Sequence, residues 1–117
     1  MSRIEMQSET LASGVKVVRP VGKLDVFSFI DFKKYFEDLC AEAQGLMVVV
    51  DLSRVDYIAS SGWSVLLSRR QAIRRQGGDL SVACLNENLR RVYDTMLIEK
   101  MLPAGQTVET AALLLKA

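Results

Sequence analysis

The chain has 117 residues, half of them hydrophobic and a quarter charged, with a formal net charge of +1 at pH 7. This length suits one core, so we expect a single domain over residues 1–117. The near balance of charge excludes the electrostatic attraction that strongly basic proteins use for nucleic acid or anionic membranes. The absence of histidine removes serine–histidine and cysteine–histidine catalytic pairs and histidine zinc sites, so we expect no enzyme activity.

No secretory signal or membrane segment is evident in the sequence. The first ten residues lack a basic start followed by an apolar run, and nowhere do about 18 apolar residues run together. We therefore expect a cytoplasmic protein. Cys40 and Cys84 lie in segments typical of a helix and a buried strand, so we expect both thiols to be reduced.

Four segments within the first 85 residues have strand patterns. Residues 4–10 alternate and residues 15–21 are rich in valine, with turn residues 12–14 between them, which predicts an N-terminal hairpin. Residues 46–52 are continuously apolar, as is typical of a central strand covered on both faces. Residues 79–85 predict a further strand.

Helical patterns follow the hairpin. Ser28 and Asp31 resemble a capping box, and the apolar residues that recur at three- and four-residue spacing predict a helix to about Ala43. A second helix is predicted from about Ser61 to Gln76, where two glycines suit a left-handed C-cap.

The remaining segments complete an α/β pattern. Asn86 caps a predicted helix over residues 87–96, residues 97–104 predict a short edge strand weakened by Pro103, and a last helix is predicted over residues 107–115. Strands that alternate with helices indicate a mixed sheet with parallel βαβ crossovers and about four helices.

The most informative segment is residues 51–62, in which a hydrophobic strand leads through a loop, residues 53–60, to Ser60 and Ser61 at a helix start. Such loops form the functional edge of a parallel sheet. Serine is a favourable helix cap, but the amides and the dipole of a helix start also favour a phosphate. The residues alone leave both interpretations open.

A stripe on the same helix comprises Trp63, Leu67, Arg70 and Arg74, at helical spacing. Tryptophan and arginine are enriched where protein interfaces concentrate their energy, so the stripe is a candidate partner surface. The alternative is that Trp63 and Leu67 pack on a neighbouring helix. The arginines also suit the negative end of the helix dipole.

Three acidic residues near strand ends, Asp25, Asp51 and Asp56, are candidate ligands for magnesium. Acidic residues at such positions are usually only solvated. We therefore predict neither a metal nor another cofactor.

Five segments, in this order, resemble the bacterial anti-sigma factor antagonists, which are single-domain STAS proteins. They are Val21-Gly22-Lys23-Leu24-Asp25, residues 48–53, Ile58-Ala59-Ser60-Ser61-Gly62, Gly77-Gly78-Asp79-Leu80 and residues 89–102. The resemblance covers nearly the whole chain and implies a STAS-like fold.

The resemblance also implies partner switching. The unphosphorylated antagonist binds an anti-sigma factor, a serine kinase of GHKL-type ATPase fold, and thereby frees a sigma factor; phosphorylation reverses the binding, and a serine phosphatase would reset it. The family phosphoacceptor matches Ser60, with Ser61 as second choice. The implied partner surface, on a monomer or weak dimer, comprises Asp25, Ala59, Ser60, Ser61, Gly62, Trp63, Leu67 and Arg70.

Two positions depart from the family pattern. Ala59 replaces the usual aspartate, and Trp63-Ser64 replaces the common Leu-Gly. Loss of the carboxylate would alter recognition by a kinase or remove phosphorylation altogether. The alternative function is therefore a STAS scaffold or adaptor that binds its partner constitutively.

Overall fold

The computed structural model describes residues 4–116. Within them it has six strands and four helices: β1 (Ile4–Thr10), β2 (Lys16–Leu24), α1 (Phe29–Glu42), β3 (Met47–Asp51), β4 (Val55–Ile58), α2 (Ser60–Arg75), β5 (Asp79–Ala83), α3 (Glu87–Thr95), β6 (Ala104–Gly105) and α4 (Val108–Leu113). A 3-10 turn over Ile98–Lys100 follows α3. Between residues 4 and 116, no helix has the length and hydrophobicity that crossing a membrane requires.

The strands form one mixed sheet in the order β1-β2-β3-β5-β6, with β4 paired to β2 beyond β3. The hairpin pair β1–β2 is antiparallel, and the other pairs are parallel. The first half of β2, Lys16–Val18, pairs with β3, and its end, Gly22–Leu24, pairs with β4. The predicted α/β class, the opening hairpin and the central position of β3 are confirmed.

Strand β3 is buried on both faces, as its continuous apolar run predicts. Val48 and Val50 belong to the main core, which also includes Leu66 of α2, whereas Val49 packs with Ala111 of α4 in a smaller core. Because successive side chains of a strand point to opposite faces, the two cores lie on opposite faces of the sheet.

The start of α1 differs from the prediction. Ser28 holds the N-cap position, but its backbone is helical (φ −113°, ψ −14°) rather than extended, and its side chain makes no capping bond. The predicted capping box of Ser28 and Asp31 is therefore wrong. Instead, the Asp25 carboxylate accepts hydrogen bonds from the amides of Phe27 and Ser28, and the Ser28 hydroxyl donates to the carbonyl of Lys23.

One predicted loop and one predicted strand are also wrong in part. The supposed loop over residues 53–60 contains β4. The four residues of β4 do not alternate between apolar and polar, and the strand forms because it pairs with the distant β2. The strand predicted over residues 97–104 is confined to Ala104–Gly105, because a 3-10 turn occupies the preceding residues.

Several helix ends confirm the predictions. The side chain of Asn86 accepts from the amide of Leu89 at 2.8 Å, and Thr107 caps α4, which ends at Leu113 rather than Leu115. Gly77, just beyond α2, has φ +88°, as a left-handed C-cap requires.

A buried ion pair holds α2 against the sheet. Asp79, at the start of β5, is fully buried; its carboxylate lies 2.9 Å from Nε of Arg70 and 3.3 Å from a guanidinium nitrogen of Arg74. It also accepts from the amides of Lys116 and Leu80. Burial alone would raise the pKa of Asp79, but the bonds from Lys116, Leu80 and Arg70 outweigh it and place the pKa below its ordinary value.

Replacing Asp79 by alanine should lower the free energy of unfolding by about 3 kcal/mol at neutral pH, because two arginines lose a buried partner. The folded-state pKa is depressed, so this stabilisation exists above the ordinary pKa of 3.8 and is lost as the pH falls through the folded-state pKa. Urea unfolding from neutral pH to about pH 3 would check this. The exposed Asp56→Ala variant is the control, and an effect of Asp79→Ala that does not shrink in acid would contradict the assignment.

Candidate functional site

The first turn of α2 sits directly on the ends of β2 and β4. The amide of Ala59 donates to the carbonyl of Leu24 at 2.7 Å, and the carbonyl of Ala59 accepts from the amides of Gly62 and Trp63. A Cβ atom at Gly62 would lie 2.8 Å from Cγ2 of Ile58 and 3.0 Å from Cβ of Leu24. The seating of α2 therefore requires glycine at this position.

The serines open α2, but neither caps it. Ala59 holds the N-cap position with an extended backbone (φ −74°, ψ 167°) and makes no side-chain capping bond, and the first turn carries no acidic residue. Of the two interpretations that the sequence leaves open, the serine cap is wrong, because Ala59 holds the N-cap position and both serines lie inside the helix. The amides at the start of α2 are consequently left without a side-chain acceptor from Ala59.

The two serines differ in accessibility. Ser60 is exposed, whereas Ser61 is half-buried and its Oγ finds no hydrogen-bond partner within residues 4–116. A modifying enzyme would therefore reach the hydroxyl of Ser60 first.

An apolar groove of about 430 Å³ lies beside Ser60, between α2, α3 and β4. Apart from Ser60 and Ser64, the lining of the groove is almost entirely apolar. The lining residues are Tyr57, Ile58, Ala59, Ser60, Trp63, Ser64, Leu67, Val92, Met96 and Ile98. Tyr57, Val92 and Met96 are exposed. Their apolar surface is therefore open to a partner.

Trp63 and Leu67 take part both in core packing and in the groove, the two alternatives that the sequence left open. Trp63 is 5% exposed and belongs to the main core, where its ring lies 6.3 Å from that of Tyr93, yet both Trp63 and Leu67 also line the groove. The Trp63 Nε1 atom is buried without an acceptor inside residues 4–116. Core packing thus holds this wall of the groove in place.

The arginines of the stripe lie elsewhere. Arg70 binds Asp79 and donates to the carbonyl of Met101 at 2.9 Å, and Arg74 donates to the carbonyl of Lys116 at 3.1 Å. The structure does not bring either arginine to the groove lining. Both side chains instead tie α2 to the C-terminal part of the chain.

The carboxylate of Asp25, also predicted in the partner surface, is engaged in the turn before α1. Next to it lie three exposed side chains, Val26, Phe27 and Ile30, which we term the apolar turn. Because Leu24 is hydrogen-bonded to Ala59, this turn follows directly from the strand end on which α2 begins.

The candidate magnesium ligands do not meet. Asp51 pairs with Nε of Arg19 at 3.0 Å and accepts from the amide of Ser53, whereas Asp56 is exposed on β4. Burial alone would raise the pKa of Asp51, but the bonds from Ser53 and Arg19 hold it below its ordinary value. Across the described residues, no three acidic or cysteine side chains are placed to hold a metal ion.

Six of the ten residues that line the groove lie outside the partner surface predicted from the sequence. Three of these six are exposed and apolar: Tyr57 lies on the unpredicted β4, and Val92 and Met96 lie on or just after α3. A signal exists for the last two. They are four residues apart, off the face that buries Leu89 and Tyr93, and so form a second apolar stripe.

A sequence profile of the STAS domain family matches residues 8–111. The chain belongs to this family of α/β domains.

Individual relatives agree. The anti-sigma F factor antagonist of Paenibacillus polymyxa is 28% identical over 101 residues, which are 86% of this chain and 84% of the relative. The fold matches an anti-sigma factor antagonist from Mycobacterium paratuberculosis with a TM-score of 0.83 at 22% identity, covering 94% and 92% of the two chains. It also matches the Bacillus protein SpoIIAA in its phosphorylated form, with a TM-score of 0.67 at 16% identity, covering 91% and 96%.

We expect Gly62→Ala to lower the free energy of unfolding by about 1 to 3 kcal/mol, since the new methyl group overlaps side-chain and backbone atoms of β2 and β4. The higher helix propensity of alanine, about 1 kcal/mol, would offset only part of this loss. Urea unfolding measures the change, with Ser64→Ala as an exposed control on the same helix. Equal stability of Gly62→Ala and the natural chain would show that the first turn is not seated by close approach.

Proposed function

We propose that this chain is an anti-sigma factor antagonist whose binding to an anti-sigma factor is released by phosphorylation of Ser60. The observation that carries the proposal is the position of Ser60: exposed, first in a helix without a capping side chain, and on the lining of an apolar groove. The antagonist among its relatives, and the phosphorylated protein of the same fold, support the same function.

The start of α2 can accommodate a phosphate on Ser60. Unpaired amides and the positive end of the helix dipole favour an anion at a helix start. The side chain of Ala59 carries no charge and no acceptor, so it does not oppose a phosphate at this helix start.

The same phosphate would oppose binding. It adds a charge of about −1.5 to −2 beside an otherwise apolar groove. At about 6 Å from one partner carboxylate and an effective dielectric constant of about 20, the repulsion is roughly 4 to 6 kcal/mol. Since about 1.4 kcal/mol is tenfold in affinity, one hydroxyl suffices to switch a transient complex.

In this proposal the partner does the chemistry. The anti-sigma factor would be a serine kinase of GHKL-type ATPase fold, and a serine phosphatase would restore the hydroxyl. The chain would be the substrate, and it contains no histidine, the usual base that activates a serine as nucleophile.

Incubation with ATP and the anti-sigma factor kinase of the source organism should add one phosphate, located at Ser60 by intact-mass and peptide analysis. Ser60→Asp should raise the Kd for that kinase by at least about tenfold, whereas Ser60→Ala should change it by less than about threefold. Ser8→Asp is the control, because it adds the same charge at an exposed position on β1. An active kinase that leaves Ser60 unmodified would refute the switch.

A second candidate is a constitutive adaptor, favoured by the fact that the groove is formed while Ser60 is unmodified. Binding would then depend on the groove and not on charge at Ser60. The burial of Trp63 makes its replacement a poor test, since Trp63→Ala would also create a core cavity.

Met96→Ala avoids this confusion, because the Met96 side chain is exposed on the groove. It should weaken partner binding by about fivefold or more without lowering the Tm, as truncation removes apolar contact area. The single tryptophan, Trp63, allows binding to be followed by fluorescence. Met101→Ala, exposed outside the groove, is the control. If Ser60→Asp binds as tightly as the natural chain while Met96→Ala does not, the adaptor is correct.

A further inference from the structure

We infer that the groove beside Ser60 is also a small-molecule site, which binds a neutral aliphatic compound with one hydrogen-bond acceptor, such as a long-chain ketone, ester or amide. The inference goes beyond the proposed function, because it concerns the chain alone and requires neither phosphorylation nor a protein partner. The supporting observations are the buried floor of the groove, its uncharged lining, an unpaired donor on one wall and its size.

The floor of the groove belongs to the core of the domain. Ile58, Trp63 and Ile98, which line the groove, are 5%, 5% and 4% exposed and are members of the main core. The exposed Val92 and Met96 complete the lining on the α3 side, and a methionine side chain adapts its shape readily to what it contacts. Small-molecule sites are concave, mostly apolar and largely formed in advance, and this groove has each of these properties.

The lining of the groove carries no charge. All ten of its residues within the described part of the chain are neutral. An ionised group that leaves water for such a surface loses hydration and gains no counter-charge. The groove therefore selects a neutral molecule over an ion of the same chain length.

The wall formed by α2 supplies hydrogen-bond donors. Nε1–H of Trp63 is buried and finds no acceptor within residues 4–116, and Ser60 and Ser64 add two hydroxyl groups to the same wall. A buried donor without a partner is costly, and most such donors in folded proteins are paired. Because Trp63 borders the groove, the missing acceptor is assigned to the carbonyl oxygen of a molecule seated against this wall.

The size and the shape of the groove favour an elongated ligand. A dry apolar cavity of about 150 Å³ holds one benzene molecule. The groove has about 430 Å³, so it has room for a molecule of roughly 17 non-hydrogen atoms. It shares Tyr57, Ile58 and Val92 with a neighbouring cleft of about 280 Å³. A chain can therefore extend along β4 and α3 beyond the groove itself.

The test titrates the ¹⁵N-labelled chain with methyl octyl ketone and follows the indole N–H signal by NMR. This signal belongs to Trp63, because the chain has a single tryptophan. We expect a saturable downfield shift, since the indole N–H gains an acceptor. Decanoate, a carboxylate of the same number of carbon atoms, should bind at least about fivefold more weakly.

Two variants of matched chemistry locate the ligand. Met96→Lys places a charge on the lining and should raise the Kd for methyl octyl ketone by about fivefold or more. Met101→Lys is the control, because Met101 is an exposed methionine outside the lining, and its Kd should stay within about twofold of the natural value.

A third variant isolates the donor. Trp63→Phe keeps an aromatic ring in the core but removes the N–H group. It should raise the Kd for the ketone by about fivefold, measured from the backbone amide signals of Val92 and Met96, with thermal unfolding as the check on folding. An unchanged Kd in a folded Trp63→Phe would overturn the inferred ligand class.

The remaining outcomes separate the inference from the proposed function. A ketone that causes no saturable shift overturns the inference, as does equal affinity for decanoate or for Met96→Lys. If the ketone does not bind but the anti-sigma factor kinase does, and Met96→Ala weakens that complex, the groove is a protein contact alone. The proposed function then stands while the inference fails.

Discussion

The close contact between the first turn of α2 and the ends of β2 and β4 determines where every candidate functional residue lies. Gly62 permits it, because no side chain separates the helix from Leu24 and Ile58. The Ala59–Leu24 hydrogen bond then fixes the helix start beside the turn that leads into α1. The serines, the groove and the apolar turn consequently share one end of the domain, although they come from separate parts of the chain.

The far end of α2 is held by a different kind of interaction. Arg70 and Arg74 share the buried carboxylate of Asp79 and also reach carbonyls near the C-terminus. Hydrogen-bonded charge pairs of this kind have a preferred direction as well as a preferred distance. The helix is thus positioned by close packing at its start and by directed polar bonds at its end. The side of the groove that α2 forms is therefore held at both ends.

The sequence predicted correctly those elements that are determined by residues adjacent in the chain. The valine-rich run of β3 and the caps Asn86 and Thr107 could be read directly, because burial and capping depend on adjacent residues. Strand β4 could not, since four residues contain no clear period and the pairing partner lies more than 30 positions earlier in sequence.

The candidate site shows the same division. The position of Ser60 at a helix start followed from its neighbours, and the family resemblance gave it a role. The N-cap residue of α2, Ala59, could not be predicted, because the preference of serine for the N-cap position is only statistical. Here the backbone hydrogen bond from Ala59 to Leu24 fixes where the helix begins. The engagement of Arg70 with Asp79, and the contribution of Met96 to the groove, depend on tertiary contacts that spacing along one helix does not contain.

The absence of a capping side chain on α2 also bears on motion. A start without a cap forgoes about 1 kcal/mol of helix stability, and helix ends are where local opening begins. An opening limited to Ser60 and Ser61 would break no side-chain cap, and it would leave Gly62 and the packed residues beyond it in place. An enzyme that must draw a hydroxyl into its own active site would find it on a segment that yields without disturbing the core.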